Sequence, residues 1–388
     1  MGISMSLSVE SPFVFGVKVS GETFTDRVVE TERLKANFEH GINTILISPR
    51  RMGKTSLVEK VRTVVESDSL KIARFDAFGC RSDADFVNAL ATAVIKATSS
   101  RLEEWLENAK QFLTHFVPKI QLGTDPSTDF SIVFDLDQAP SSIEEILELP
   151  EEIAKKKGIR IVVCIDEFQQ VGEFDNSLTF QKKLRGVWQM HKHVSYCLYG
   201  SKKSMMEKMF HDQSNPFYRF GDLFYLKKIA RTDWVQFIIE RFQTTGKLIS
   251  KELAGAVADA TQCYSAYVQQ LAWFLWLRTK EEATPEDLSA SIDQLLDSCE
   301  PLFIVQTEKL TRLQMNFLKA LCDGVTSGFS EQKILKHYGL LNSANVARVK
   351  GSLIEKDLVV VESRGMVEMA DPILALWLKR RVWKASSH

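Results

Sequence analysis

The 388-residue sequence lacks the features of a membrane, secreted or zinc-binding protein. No apolar run approaches the length of a membrane span, and the six cysteines are scattered without a Cys-x-x-Cys pair. This spacing predicts neither disulfides nor zinc ligands, and it is typical of a reducing compartment. The N-terminus lacks the charged-then-apolar order of a signal peptide. We therefore expect a cytoplasmic protein with no membrane partner.

The sequence also lacks a dominant charge and the motifs of several enzyme classes. Its formal net charge is −1, which gives no whole-chain argument for nucleic acid. No HExxH motif, no cluster among the seven histidines and no further nucleic-acid motor motif is present, so protease, metalloenzyme and helicase functions have no support. The charge is uneven, however: from Lys309 onward 13 Lys and Arg residues stand against 7 Asp and Glu residues. A basic terminal module follows a mildly acidic body.

The first part of the chain alternates strands with helices, which predicts an α/β fold with a parallel sheet. A hairpin is indicated at 118–135 by alternating apolar residues around a Gly/Asp/Pro/Ser turn. We expect this domain to span residues 1–230, with a helical and hairpin insertion at about 83–140. The strands are predicted at 43–48, 71–80, 161–167, 194–201 and 223–228.

The second part of the chain has helical periodicity only, up to a change near its end. Residues 231–300 are predicted to form an all-α lid, and "EPLF" at 300–303 is the candidate linker. Residues 304–388 follow the order helix, helix, helix, hairpin, which is the layout of a winged helix. The last pair of extended runs surrounds Arg364-Gly365.

The stretch "LISPRRMGKTSLVEK" at 46–60 is typical of a phosphate-binding loop between a strand and a helix. Such a loop needs a glycine where the backbone approaches phosphate, a lysine for the outer phosphates and a hydroxyl for Mg²⁺. Gly53, Lys54 and Thr55 supply these groups, whereas Ser48 stands where the usual first glycine would be. Since that first position only begins the turn, we expect Ser48 with Pro49 to serve. The predicted ATP-binding residues are Ser48, Pro49, Arg50, Arg51, Met52, Gly53, Lys54, Thr55, Ser56 and Asp166.

Two acids end the apolar run "IRIVVCIDE", which is typical of a central parallel strand. A phosphoryl-transfer site needs a carboxylate at the tip of a neighbouring strand to hold Mg²⁺. Asp166 suits that position and makes Thr55 and Asp166 the predicted metal residues. Glu167 is placed to polarise a water for attack on the γ-phosphate. A solvated strand end is the alternative for either acid alone.

The motifs "SPRRMGKTSL", "VVCIDEFQQV" and "GSKKSMM" resemble those of the prokaryotic AAA+ ATPases called the archaeal-type ATPase family, which lies near the STAND signalling NTPases. The opening "FVFG…FTDRVVETERL" is similar too, and the resemblance covers nearly the whole chain. It implies a P-loop AAA+ sheet domain, a helical lid and a C-terminal winged helix, with ATP and Mg²⁺ as ligands. It also implies catalytic roles for Lys54, Glu167, Ser201 and Arg219.

Several of these residues have an alternative interpretation. Ser201 matches the polar sensor of the γ-phosphate, and it also suits a helix N-cap. Arg219 falls where relatives place an arginine finger, but the spacing is one residue tighter, and a surface arginine is the alternative. Arg50 and Arg51 either add charge to the site or form contacts with another subunit. Solvated loop arginines are the alternative. A sensor in the lid is not assigned.

The terminal module has two candidate roles. Asn345, Arg348, Lys350 and Arg364 are the predicted DNA contacts of a winged helix, together with the basic "LKRR" at 378–381. The alternative is a module that packs on the nucleotide domain. Three functions remain open: a nucleotide-dependent switch with slow ATP hydrolysis, a DNA-binding protein with structural nucleotide, and a protein-interaction or signalling scaffold. A homo-oligomer is a further possible partner arrangement.

Overall fold

The computed structural model describes residues 11–16, 27–99, 119–122, 130–133, 142–362 and 365–383, and only the backbone of 119–122 and 130–133. The predicted contact Arg364 lies outside these residues. The chain divides into two compact units, residues 27–227 and residues 1–26 with 228–388. We refer to them as the sheet unit and the helical unit. None of the described helices is both long and apolar enough to cross a membrane.

The sheet unit is built on a parallel sheet of five strands in the order β2-β5-β6-β1-β7, with a separate antiparallel pair, β3 and β4. The strands are β1 Thr44–Ile47, β2 Leu70–Asp76, β3 Lys119–Leu122, β4 Phe130–Val133, β5 Arg160–Asp166, β6 Val194–Gly200 and β7 Asp222–Tyr225. The described helices are α1 Val28–His40, α2 Lys54–Val65, α3 Asp83–Thr98, α4 Ser142–Lys157, α5 Ser177–Trp188 and α6 Lys203–His211. This architecture confirms the predicted fold class.

Burial on both faces explains why these strands are continuous apolar runs. Every residue of β1 and β6 is buried. One face packs an aromatic cluster that closes the core, formed by Phe86, Phe168, Phe180, Trp188 and Phe217. The helical spacing after the loop predicts that Leu57, Val61, Val64 and Val65 face inward. That is wrong for Val64, which is exposed, whereas the other three are buried.

Strand β2 ends four residues before the predicted boundary at 80. The carboxylate of Asp76 accepts a hydrogen bond from the Phe78 amide at 2.9 Å and begins a 3₁₀ turn over Ala77–Gly79. Short Asp side chains favour such turns because they bond to the backbone two residues on. Within the predicted insertion, the sequence indicates a helical region at 83–116. Its first part is α3, and residues 100–118 lie outside the described part.

The helical unit begins with four helices, α7 Arg231–Gln243, α8 Lys251–Ala260, α9 Ser265–Arg278 and α10 Pro285–Thr307. The segment 11–16 belongs to this unit, since Phe13 packs against Phe237 and Phe242 with ring centroids 6.2 and 5.7 Å away. Thr284 and Asp287 form a capping box at the start of α10, with Pro285 at its first position.

The predicted linker at 300–303 is wrong, because α10 runs through it to Thr307 with Pro301 inside the helix. Proline in a helix interior costs about 3 kcal/mol. Packing offsets that cost: Phe303 is fully buried and lies 5.8 Å from the ring of Trp377. The helical spacing of Leu288, Ile292 and Leu295 continues the same buried face.

The remaining elements have the winged-helix order. They are α11 Arg312–Cys322, α12 Gln332–Tyr338, α13 Ser343–Glu355, β8 Val359–Val361, β9 Val367–Met369 and α14 Pro372–Trp377, followed by a π-helical turn over Leu378–Trp383. Strands β8 and β9 pair antiparallel. The apolar spacing of α13 predicts that Val346, Val349, Leu353 and Ile354 face the core; the first three are buried and Ile354 is half-buried.

Candidate active site

The phosphate-loop candidate, residues 48–53, joins the carboxyl end of β1 to the first residue of α2. Arg51 and Gly53 have left-handed backbones, with φ of 66° and 87°, whereas Ser48 does not. Left-handed residues in a tight turn direct successive N–H groups toward one point, where an anion binds. The loop therefore needs glycine at 53 and has no conformational need for glycine at 48.

Lys54 is the first residue of α2 and is only 6% exposed. Its Nζ donates to the carbonyl oxygens of Ser48 at 3.0 Å and Pro49 at 3.2 Å. Burial lowers the pKa of Lys54 to about 8, although the charges of Glu167 and Asp166 act in the opposite direction. The ammonium is thus held inside the loop by backbone acceptors that phosphate oxygens can replace.

Thr55 and Asp166, the two predicted metal residues, are in direct contact. The Thr55 hydroxyl donates to Asp166 Oδ2 at 2.8 Å. Burial raises the pKa of Asp166 to about 6 in spite of that hydrogen bond. One hydroxyl and one carboxylate are the oxygen donors that Mg²⁺ takes from proteins when substrate phosphates complete its shell. Among the described residues, no group of three or more His, Cys, Asp or Glu is placed to hold a metal ion.

Glu167 is held next to Asp166 by three hydrogen bonds to one oxygen. Its Oε2 accepts from Ser201 Oγ at 2.7 Å, from the Ser201 amide at 3.2 Å and from Gln169 Nε2. Burial would raise the pKa of Glu167, but the bonds from Gln169 and Ser201 outweigh it and the pKa lies below its usual value. The backbone at Glu167 is left-handed, with φ of 49°. Ser201 contacts Glu167 and does not cap α6, whose N-cap is Lys202.

Gln169 was missed from the sequence. It is 3% exposed, and its Oε1 has no hydrogen-bond partner in the described part of the chain. A Cβ at Gly200 would lie 1.9 Å from that oxygen, so Gly200 makes room for the amide. The signal in the sequence was the spacing Glu167-x-Gln169 directly after the strand.

Arg27, also missed, supports the loop from behind. It is 4% exposed, and its guanidinium donates to the Met52 carbonyl at 3.1 Å and to the Lys227 carbonyl. It also pairs with Glu30 at 3.1 Å. Met52 is buried, while Arg50 and Arg51 are exposed and Ser56 is half-buried. The charge of Arg50 contributes to the lowered pKa of Lys54.

Arg219 lies near the amino ends of the parallel strands, whereas the phosphate loop follows their carboxyl ends. It precedes β7 by three residues, and the neighbouring Gly221 backs onto Asn43 at the amino end of β1. Arg219 is exposed, has φ of 53° and stacks on Tyr218 at 5.3 Å. It therefore does not contact the loop of its own chain. It lines a cavity of about 310 Å³ with Phe210, His211 and Phe220.

Three of the predicted DNA contacts are described. Arg348 is exposed, Lys350 is half-buried, and Asn345 bonds through its amide group to Asn342, which caps α13. The expectation that the basic stretch 378–381 contacts phosphate meets a competing interaction. Arg381 pairs with Asp293 at 3.3 Å and Asp297 at 3.0 Å, and Arg380 with Asp293 at 3.7 Å. These arginines are neutralised by acids of α10 within the helical unit.

The sheet order, the loop after β1 and the acids after β5 define a P-loop AAA+ ATPase fold, here with a C-terminal winged helix. Residues 24–267 match the family described as ATPase domains predominantly from Archaea, and residues 302–380 match the one described as probable winged helix domains. The chain belongs to this archaeal-type ATPase family. A search of curated proteins gave no significant match.

Solved structures share the fold. A Walker-type ATPase of Pyrococcus abyssi has a TM-score of 0.66 at 15% identity, covering 92% of this chain and 97% of that one. The Aeropyrum pernix ORC2 protein in ADPNP-ADP complexes has a TM-score of 0.54 at 13% identity, covering 94% and 96%. The Aeropyrum pernix ORC1 protein in complex with DNA has a TM-score of 0.50 at 12% identity, covering 94% of each chain.

Proposed function

We propose that this protein binds ATP with Mg²⁺, hydrolyses it slowly and acts as a nucleotide-dependent switch. The observation that carries the proposal is the hydrogen bond of 2.8 Å between Thr55 and Asp166, beside the buried Lys54. It brings the hydroxyl after the loop and the carboxylate at the end of β5, which β6 separates from β1, to one point, as a phosphate-bound Mg²⁺ requires. ATPase ancestry supports it at the level of the family.

The site residues have distinct roles in this proposal. Lys54 and the backbone N–H groups of 50–55 bind the phosphates, and Thr55 with Asp166 would hold Mg²⁺, which neutralises phosphate charge when bound. Glu167 accepts a proton from the attacking water as the water oxygen bonds to the γ-phosphorus and the bond to ADP breaks. Ser201 donates to Glu167 and so orients its carboxylate. Arg219 can contribute only from a second copy of the chain, because the phosphate loop of its own chain lies at the opposite ends of the strands.

The proposal is tested by isothermal calorimetry of the full chain with ATP, in Mg²⁺ and in EDTA. We expect Lys54→Ala to weaken binding by about 10- to 100-fold, the range for a lost hydrogen bond to a charged group. The exposed Lys182→Ala on α5 serves as the control and should bind as the parent does. Absence of ATP uptake by the parent protein with Mg²⁺ present would refute the proposal.

DNA binding by the winged helix is the second candidate, supported by the exposed Arg348 in the middle of α13. The related fold of ORC1 was solved with DNA. We expect duplex affinity to fall with rising salt, and Arg348→Ala to reduce the slope of log affinity against log salt by about 1. Fluorescence anisotropy at several salt concentrations measures this, with Lys319→Ala on α11 for comparison. A response that does not depend on salt excludes the electrostatic contact.

A further inference from the structure

A buried side chain of the sheet unit bonds to the residue at which the chain leaves that unit. The chain passes from one unit to the other at 26/27 and at 227/228. Arg27 is itself the first residue of the sheet unit, and its guanidinium donates to the carbonyl of Lys227, the last one. The same guanidinium donates to the carbonyl of Met52 in the phosphate loop at 3.1 Å.

We propose that Arg27 is a positioning residue that couples the conformation of the phosphate loop to Lys227, at which the chain leaves the sheet unit. The inference rests on the proposed binding of nucleotide at the loop. In this inference, Arg27 transmits a conformational change of the phosphate loop to the segment that follows Lys227. Nothing in the family match or in the residues predicted from the sequence assigns Arg27 a role.

The surroundings hold Arg27 in a conformation that it would not adopt alone. Its backbone is left-handed, with φ of 75°, which is unfavourable for a residue with a Cβ. Its carbonyl accepts from Thr31 at 2.8 Å and so begins α1. Its side chain is 4% exposed and pairs with Glu30. Arg27 is therefore fixed at the start of α1.

The second connection also starts beside the loop. The amide of Leu226 donates to the carbonyl of Ile47, the last residue of β1, at 2.9 Å. Lys227 follows directly and gives its carbonyl to Arg27. The segment leaving the sheet is thus bonded to the strand end before the loop and to the arginine behind the loop.

Arginine suits this position because its planar fork carries five N–H donors and serves two carbonyls at once. A buried guanidinium that loses an acceptor is strongly unfavourable, so the two carbonyls move together with it. Met52 immediately precedes Gly53, the left-handed glycine at the point of close approach to phosphate. A rotation of the 52–53 peptide on phosphate binding consequently changes the bond at Arg27 and, through it, the connection at 227.

Hydrogen–deuterium exchange of the full chain at saturating Mg·ATP tests the coupling. In the parent protein, exchange at 48–56 and at 225–231 should change with the same ATP midpoint. In Arg27→Lys, which keeps the charge and loses the fork, the response at 48–56 persists and the ATP-induced ratio of exchange rates at 225–231 falls by about 2- to 30-fold. The control Arg33→Lys, on the same helix and paired with Asp222, retains both responses.

Each outcome separates this inference from the proposed function. No response at 48–56 in the parent refutes nucleotide binding itself. A parent response at 48–56 without one at 225–231, or a full response at 225–231 in Arg27→Lys, overturns the coupling alone. Loss of both responses in Arg27→Lys would show that Arg27 supports nucleotide binding itself, and it would overturn its role as a coupling residue. Arg27→Gln, which buries no charge, replaces Arg27→Lys if the lysine variant does not fold, and the parent titration tests the coupling without either.

Discussion

Replacing Glu167 by glutamine is expected to lower Mg·ATP turnover by about 10²- to 10⁴-fold, the contribution of a positioned general base. Glutamine keeps the size of the side chain and the acceptor for Ser201, so ATP binding should persist. What it removes is the carboxylate that takes the proton from water. Turnover is measured by phosphate release, and binding by calorimetry on the same preparation.

The control is Glu173→Gln, which changes a carboxylate in the same turn that follows β5. Glu173 pairs with Lys202 at 2.6 Å and is exposed, so its loss should leave turnover unchanged. Full turnover in Glu167→Gln would contradict the assignment of the base. Loss of ATP binding in that variant would show that Glu167 supports the loop instead of acting on water.

The hydrogen bonds at Glu167 occupy one of the two oxygens of its carboxylate. Its Oε2 already accepts from Ser201 twice and from Gln169 once. An additional donor, such as the attacking water, requires one of these bonds to be released or the second oxygen to be used. The depressed pKa of Glu167 has the same origin as this arrangement, namely donors that stabilise the charged form.

The chemistry of the loop and strand was predictable because both motifs are local. A run of β-branched residues ending in Asp166 and Glu167 predicts a buried parallel strand with two acids at its tip, and β5 has that form. The contact between Thr55 and Asp166 also follows, since carboxyl ends of parallel strands share one edge. The presence of Ser48 in place of the usual glycine was also compatible with the loop, because that first position does not require a left-handed backbone.

The remaining features depend on residues that are distant in sequence. Arg27 acquires its role from Met52 and Lys227, and no periodicity relates those positions. The location of Arg219 required the strand order, because only the pairing of β7 with β1 places it at the amino edge. The linker at 300–303 failed because a proline breaks a helix only when packing does not compensate. Here Phe303 and Trp377 supply that packing.

The buried carboxylate of Glu151 on α4 predicts a large change in stability outside the candidate active site. It is 2% exposed and accepts from His193 Nδ1 and from the His193 amide, both at 2.9 Å. We expect Glu151→Ala to lower the free energy of unfolding of the sheet unit by about 3 kcal/mol, because each hydrogen bond to a charged group contributes about 1.5–3 kcal/mol. Urea titrations monitor this, and the exposed Glu152→Ala is the control, expected within about 0.5 kcal/mol of the parent.

The charge of Glu151 also predicts how its contribution to the free energy of unfolding depends on pH. Burial would raise the pKa of Glu151, but the hydrogen bonds from His193 outweigh it and lower the pKa to about 2, from an ordinary value of 4.5. A carboxylate with a depressed pKa stabilises the fold fully above its unfolded pKa and loses that contribution as pH falls through the folded one. The difference in the free energy of unfolding between the parent and Glu151→Gln should therefore narrow as the pH falls from about 4.5 toward 2. A difference that stays the same down to pH 2 would mean that shape and not charge is what Glu151 contributes.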